Sequence, residues 1–192
     1  MLRSLYDWTL SLAAHPRALW ALALVAFIEA SVFPIPPDVL MIAMIVATPT
    51  RAFRIAAVAT VASVLGGLLG YAIGALAFEQ IGQPILASLG KVDAMVEFNQ
   101  RFNSLDFWPV LIAGLTPFPF KVITIMSGWT GLPLATFIIT SIIARAGRFF
   151  LVAWLLHRFG APIREFIERR LGLMTIVFVV LLAGGFYAVR FL

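Results

Sequence analysis

A proline-rich break inside an apolar run constrains this chain more than any other feature. Residues 29–38 read Glu-Ala-Ser-Val-Phe-Pro-Ile-Pro-Pro-Asp, and the flanks, 18–28 and 39–47, are almost purely apolar. Such flanks put the break at membrane depth. Irregular backbone is tolerated there only where it is buried in protein or lines a wet cavity. Ionisable groups at that depth mark a functional site by default, which makes Glu29 and Asp38 the first candidate residues.

The composition agrees. The chain is 62% hydrophobic and 12% charged over 192 residues, against about 25% charged in an average soluble domain, and its mean hydropathy is +1.02. The expectation is a single all-α polytopic membrane domain over 1–192 with no separate soluble domain. The chain has no cysteine, which excludes disulfides and thiol chemistry. A net charge of +5 suggests cytoplasmic anchoring; the arginines are dispersed and no nucleic-acid motif is present, so no nucleic-acid partner is expected. Arg3, Arg17 and the apolar run after them resemble a signal peptide weakly. Glu29 and the prolines stand where a cleavage site would be, so no removal is expected.

Residues 1–17 mix Leu2, Leu5, Tyr6, Trp8 and Leu10 with Arg3 and Asp7, the pattern of a short interfacial helix. The next run, 18–33, and the ten residues 39–48 are both short against the ~20 residues of a spanning helix. Each suits one arm of a re-entrant hairpin with Pro34, Pro36 and Pro37 at its tip; a lone span over 18–33 is the alternative. Residues 53–78 are long enough to cross. There Gly66, Gly70 and Gly74 recur every fourth residue and share one helical face, so a second backbone can approach closely. Residues 18–78 thus form a hairpin-plus-helix unit. Residues 79–106 interleave Lys91, Asp93, Glu97 and Arg101 with Val92, Val96, Phe98 and Phe102, which predicts an amphipathic surface linker.

The pattern then returns over 107–157. An apolar arm over 107–115 is broken by Thr-Pro-Phe-Pro-Phe-Lys, with Pro117 and Pro119 as the second tip, and resumes over 122–126. Ser127 to Gly131 reads as the exit, 134–156 as a full span, 157–170 as a basic segment and 171–191 as a last transmembrane helix. Each unit crosses once, so the second begins on the opposite face. The result is an inverted repeat, the arrangement common in secondary transporters, with the site where the broken segments meet. With the first hairpin's base in the cytoplasm, eight of the 14 Lys and Arg residues lie inside, three outside and three in the membrane. That satisfies the positive-inside rule.

The three intramembrane cations are Lys121, Arg145 and Arg148; with Glu29 and Asp38 they make five ionisable residues at depth. Each unpaired charge would cost about 2.5–3.5 kcal/mol on insertion scales, so pairing across the repeats is expected. Arg145 and Arg148 share a face and together suit a phosphate or carboxylate. Asp38 follows two prolines at a helix start, where the dipole favours a negative charge; Lys121 can snorkel to an interface. Glu29, midway along an apolar arm, is either the structural partner of an arginine or a group that loads and releases a proton.

Glu29 followed by Pro34-Ile35-Pro36-Pro37-Asp38 resembles the acidic-then-proline motif of the DedA family, also called VTT or SNARE-associated proteins. The glycines of 66–74, the second proline hairpin, Ser127-Gly128 and the Arg145/Arg148 helix are similar to the rest of that family's pattern, and the short YqaA-type branch is the nearest likeness. The resemblance implies two opposed re-entrant hairpins in a bacterial inner-membrane protein. It also implies flipping or scrambling of phospholipid or polyprenyl phosphate, proton-coupled in some members. One departure stands out. Many members carry Arg-Phe-x-Pro-x-x-Arg at the second hairpin; here the first arginine is missing and Lys121 only approximates the second.

The leading expectation is therefore a translocator whose partners are membrane lipids, anionic lipid phosphate and protons among them, with no cofactor. A scaffold or assembly protein is the alternative. An enzyme is not expected: a lipid-phosphate phosphatase needs paired histidines beside Arg and Asp, whereas His15 and His157 flank membrane segments without such neighbours. A zinc site lacks ligands.

Overall fold

The computed structural model describes residues 17–32, 36–77, 92–116 and 118–169, together with 80, 84 and 88. The expected interfacial helix, apart from Arg17, the last span over 171–191, and the tip residues Pro34 and Pro117 lie outside the described residues. Every regular element among those described is helical.

The first helix, α1 (Ala18–Ser31), is 14 residues long. The second, α2 (Pro37–Ala47), has 11 and starts with proline at its first position, where the missing N–H is no loss. A 3-10 turn, Pro49–Arg51, leads into α3 (Ala52–Ala77). Then come α4 (Val92–Ser104), α5 (Trp108–Leu115), α6 (Phe120–Trp129) and α7 (Leu134–Arg169). Two stretches, Pro49–Ala77 and Leu134–Gly160, are long and apolar enough to cross a membrane. At 1.5 Å per residue α1 and α2 reach only about 21 and 17 Å, short of a ~30 Å hydrocarbon core.

Two boundaries differ from the sequence expectation. Ser127, Gly128 and Trp129, read as the exit of the second hairpin, form the last turn of α6. Gly128 is there for packing: a Cβ on it would overlap the Tyr71 carbonyl of α3. The turn comes later, at Gly131, whose φ of 69° suits glycine. The helix expected to end near 156 runs on to Arg169 past a non-helical residue, Phe159. Pro162 explains the kink, since it has no N–H for the Arg158 carbonyl.

The packing is reciprocal. Helix α1 lies on α3, and α5 on α7; α6 lies on α3, and α2 on α7; the two long helices also pack on each other. Close approach depends on the α3 glycines. A Cβ at Gly66 would overlap the Phe27 carbonyl of α1, and one at Gly74 the Ile125 carbonyl of α6. Two apolar clusters result. One joins Leu22, Met41, Ile45, Ile55, Ala56, Phe149 and Leu156. The other joins Ala30, Val110, Phe120, Ile123, Leu132 and Phe137. Along α3 and α7 the buried polar residues Thr60, Ser63, Thr140, Ser141 and Arg145 fall between the two clusters.

Candidate functional site: a charged layer at two helix breaks

Four of the five ionisable residues come together as two ion pairs. Arg145 of α7 meets Glu29 of α1 at 2.6 Å, with side chains only 3% and 9% exposed. The arginine Nε donates to Ser63 Oγ of α3 at 2.7 Å. The Phe120 and Phe149 rings lie 4.7 and 4.8 Å from the guanidinium carbon, within cation–π range. Glu29 uses its other oxygen to accept the Phe120 N–H at 3.1 Å. One carboxylate thus ties α1, α6 and α7 together, and its arginine adds α3.

The second pair is more open. Arg148, one turn beyond Arg145, presents Nε and an Nη to the two Asp38 oxygens at 3.2 and 2.9 Å. Those side chains are 14% and 22% exposed. The remaining Nη donates to the Thr116 carbonyl at the end of α5. Lys121 is placed apart from the carboxylates: its Nζ donates to the Val32 carbonyl at the end of α1, 3.0 Å away.

A common electrostatic rule organises these contacts. A helix is partly negative at its C-terminus and partly positive at its N-terminus. The two arms that lead into the breaks, α1 and α5, end on carbonyls held by cations, Lys121 and Arg148. The two arms that lead out, α2 and α6, begin beside carboxylates: Asp38 in the first turn of α2, and Glu29 on the first N–H of α6. Each broken backbone end therefore meets a charge of the opposite sign.

The tip prolines that are described, Pro36, Pro37 and Pro119, stand at the starts of α2 and α6. Gly66, Gly70 and Gly74 face α1 and α6; Gly70 lies against Thr124, whose hydroxyl donates to the Ala30 carbonyl at 2.9 Å. Sequence reasoning missed Ser63, Thr116 and Thr124. Ser63 and Thr124 had a signal, since each is a hydroxyl well inside an apolar helix. Thr116 contributes only its backbone and had none. Among the described residues no three histidine or carboxylate side chains converge to hold a metal.

Residues 35–158 match the VTT domain, most of the chain, with α3 entire and α7 as far as Arg158. The chain belongs to the VTT-domain, or DedA, family. It is 36% identical over 169 residues to an uncharacterized protein of Haemophilus influenzae, covering 86% of this chain and 88% of that one. An uncharacterized homologue from Histophilus somni matches at the same identity and coverage. No solved structure matches the chain. VTT-domain membership and the two apolar helices point to a membrane protein.

Proposed function

We propose that this VTT-domain protein is a transporter, not an enzyme, that moves a phosphate-bearing lipid across the bilayer of a bacterial inner membrane. Phospholipids and polyprenyl phosphates both carry the required group. The observation that carries the reading is the Arg148–Asp38 pair: a partly exposed guanidinium fork at the point where two interrupted helices meet. Charged residues at such a break characterise secondary transporters, in which discontinuous half-helices bind the substrate.

An inverted repeat of two re-entrant hairpins fits the same observations. Helices α2 and α6 start 83 residues apart, at Pro37 and Phe120, and α3 and α7 start 82 apart. The packing of α6 on α3 and of α2 on α7 is what a pseudo-two-fold exchange of hairpins would give. Glu29 is the candidate proton carrier, because protonation would release Arg145 from its partner.

The test is reconstitution of the full chain into liposomes carrying a labelled phospholipid, with and without an imposed pH difference. Transport above protein-free liposomes is expected, lost in Arg148→Gln while the variant still inserts. A wild-type rate equal to protein-free liposomes would leave the second reading, a membrane scaffold. The closed Glu29–Arg145 pair favours that reading, since nothing about it requires a substrate. Transport indifferent to the gradient would remove Glu29 as a proton carrier and leave a passive scramblase.

A further inference from the structure

The two ion pairs are built differently. Glu29 is held twice, by Arg145 and by the Phe120 N–H, and Arg145 is further enclosed by Ser63 and two rings. Asp38 is held once. Among the described residues its carboxylate accepts hydrogen bonds from Arg148 alone. The Arg148 guanidinium, by contrast, has an anchor that does not depend on Asp38, the Thr116 carbonyl.

We propose that Asp38 is a built-in stand-in for the phosphate of the transported lipid. It occupies the Arg148 fork and is displaced when a phosphate group arrives, while Arg145 stays enclosed and takes no part in phosphate binding. The inference rests on the lipid-phosphate reading above and assigns its two arginines separate roles. Four observations carry it. The Asp38 carboxylate takes the fork through both oxygens, the arrangement in which a phosphate also binds arginine. The fork is partly exposed, whereas Arg145 is sealed. Displacing Asp38 leaves Arg148 held in place by Thr116. The freed carboxylate would still sit in the first turn of α2, where the helix dipole favours it. Lys121, at the start of α6 across the same break that Arg148 reaches at Thr116, donates to a carbonyl and not to a carboxylate. It is the second cation available to a dianionic monoester.

A fork that is mostly filled binds a ligand with its affinity reduced to the fraction of time it is free. Removing the stand-in should therefore strengthen phosphate binding, whereas removing a structural partner should weaken it. The experiment measures binding of inorganic phosphate and of a short-chain phosphatidic acid to the purified full chain in a maltoside detergent. Wild type, Asp38→Ala, Asp38→Asn and Arg148→Gln are compared. The expected result is at least tenfold tighter binding in Asp38→Ala and no binding in Arg148→Gln. Asp38→Asn keeps the side-chain shape and serves if Asp38→Ala fails to fold; it should also bind more tightly than wild type. Tightening with phosphatidic acid supports the stand-in with a lipid ligand. Tightening with inorganic phosphate alone supports a stand-in for a free anion and overturns the lipid reading. Unchanged or weaker binding in both Asp38 variants, or binding that survives Arg148→Gln, overturns the proposal even if liposomes show transport.

Discussion

The Glu29–Arg145 pair allows a double-mutant test whose magnitudes follow from its surroundings. Glu29→Leu would leave a guanidinium that is almost fully buried, with Ser63 and two aromatic rings as its remaining contacts. Breaking a buried pair by removing one partner costs about 3–5 kcal/mol. The rings offset part of this, up to about 2 kcal/mol for a desolvated cation–π contact. The first N–H of α6 also loses its acceptor, at about 1–3 kcal/mol. These terms overlap, and the net expectation is about 4 kcal/mol. Arg145→Met strands the carboxylate instead and should cost a similar amount.

The double variant, Glu29→Leu with Arg145→Met, removes both charges and fills the space with apolar atoms. Replacing a buried ion pair in this way is often neutral or stabilising by about 1–4 kcal/mol. Against that stand the Ser63 hydroxyl and the Phe120 N–H, each left without a partner. The double variant should therefore be no worse than either single one, giving a coupling energy of about 4 kcal/mol or more. The assay is unfolding of the full chain in mixed micelles by increasing dodecyl sulfate, followed by far-ultraviolet circular dichroism. Additive losses, with the double variant near 8 kcal/mol by summing two costs of about 4, would refute the claim that the charges exist for each other.

Three further outcomes are expected in the same unfolding assay. Gly128→Leu and Gly74→Leu drive a side chain into a facing backbone carbonyl between α3 and α6, and each should destabilise by about 1–3 kcal/mol or more. Gly67→Ala is the contrast: a Cβ there meets only side-chain atoms, at 3.4–3.5 Å, and the loss should stay below about 1 kcal/mol, within the scatter of ordinary substitutions. Tyr71→Phe deletes the hydroxyl that donates to the Leu132 carbonyl at 2.6 Å; about 1 kcal/mol should be lost, with faster amide exchange in the turn after α6.

What could be read in the sequence was what local physics decides. Pro36, Pro37 and Pro119 announce helix starts because proline fixes φ and removes a donor, and α2 and α6 begin at or just after them. The inward turn of Arg145 and Arg148 followed from the cost of an unpaired charge at depth. Their choice of partner did not follow. Residues three apart on a helix lie on one face about one turn from each other, so either arginine could have taken either carboxylate. The pairing is set by where α1 and α2 fall against α7, a tertiary fact. The glycine of Ser127-Gly128 looked like a breaker because its isolated propensity is poor. Its actual use is to admit the Tyr71 backbone, which no local rule reveals. The kink at Phe159 lies in a segment that reads only as basic and not as the continuation of the helix, although Pro162 marks it.

The placement of Asp38 and Lys121 shows how one scaffold can carry two different ends. Both occupy the second position of a helix that leaves a break, and they stand 83 residues apart, as their helices do. An aspartate there agrees with the helix dipole and a lysine opposes it. The lysine can be kept because its stem is long enough to carry the ammonium away from its own helix start, onto the Val32 carbonyl at the negative end of α1. An aspartate has no such reach, so its cation must come to it, and Arg148 does so from α7. Two positions 83 residues apart thus receive opposite charges without either helix end being left uncompensated. One break carries a carboxylate paired to an arginine. The other carries a cation whose partner is a neutral carbonyl, so under the proposed function it is the end where a phosphate would meet the weaker competitor.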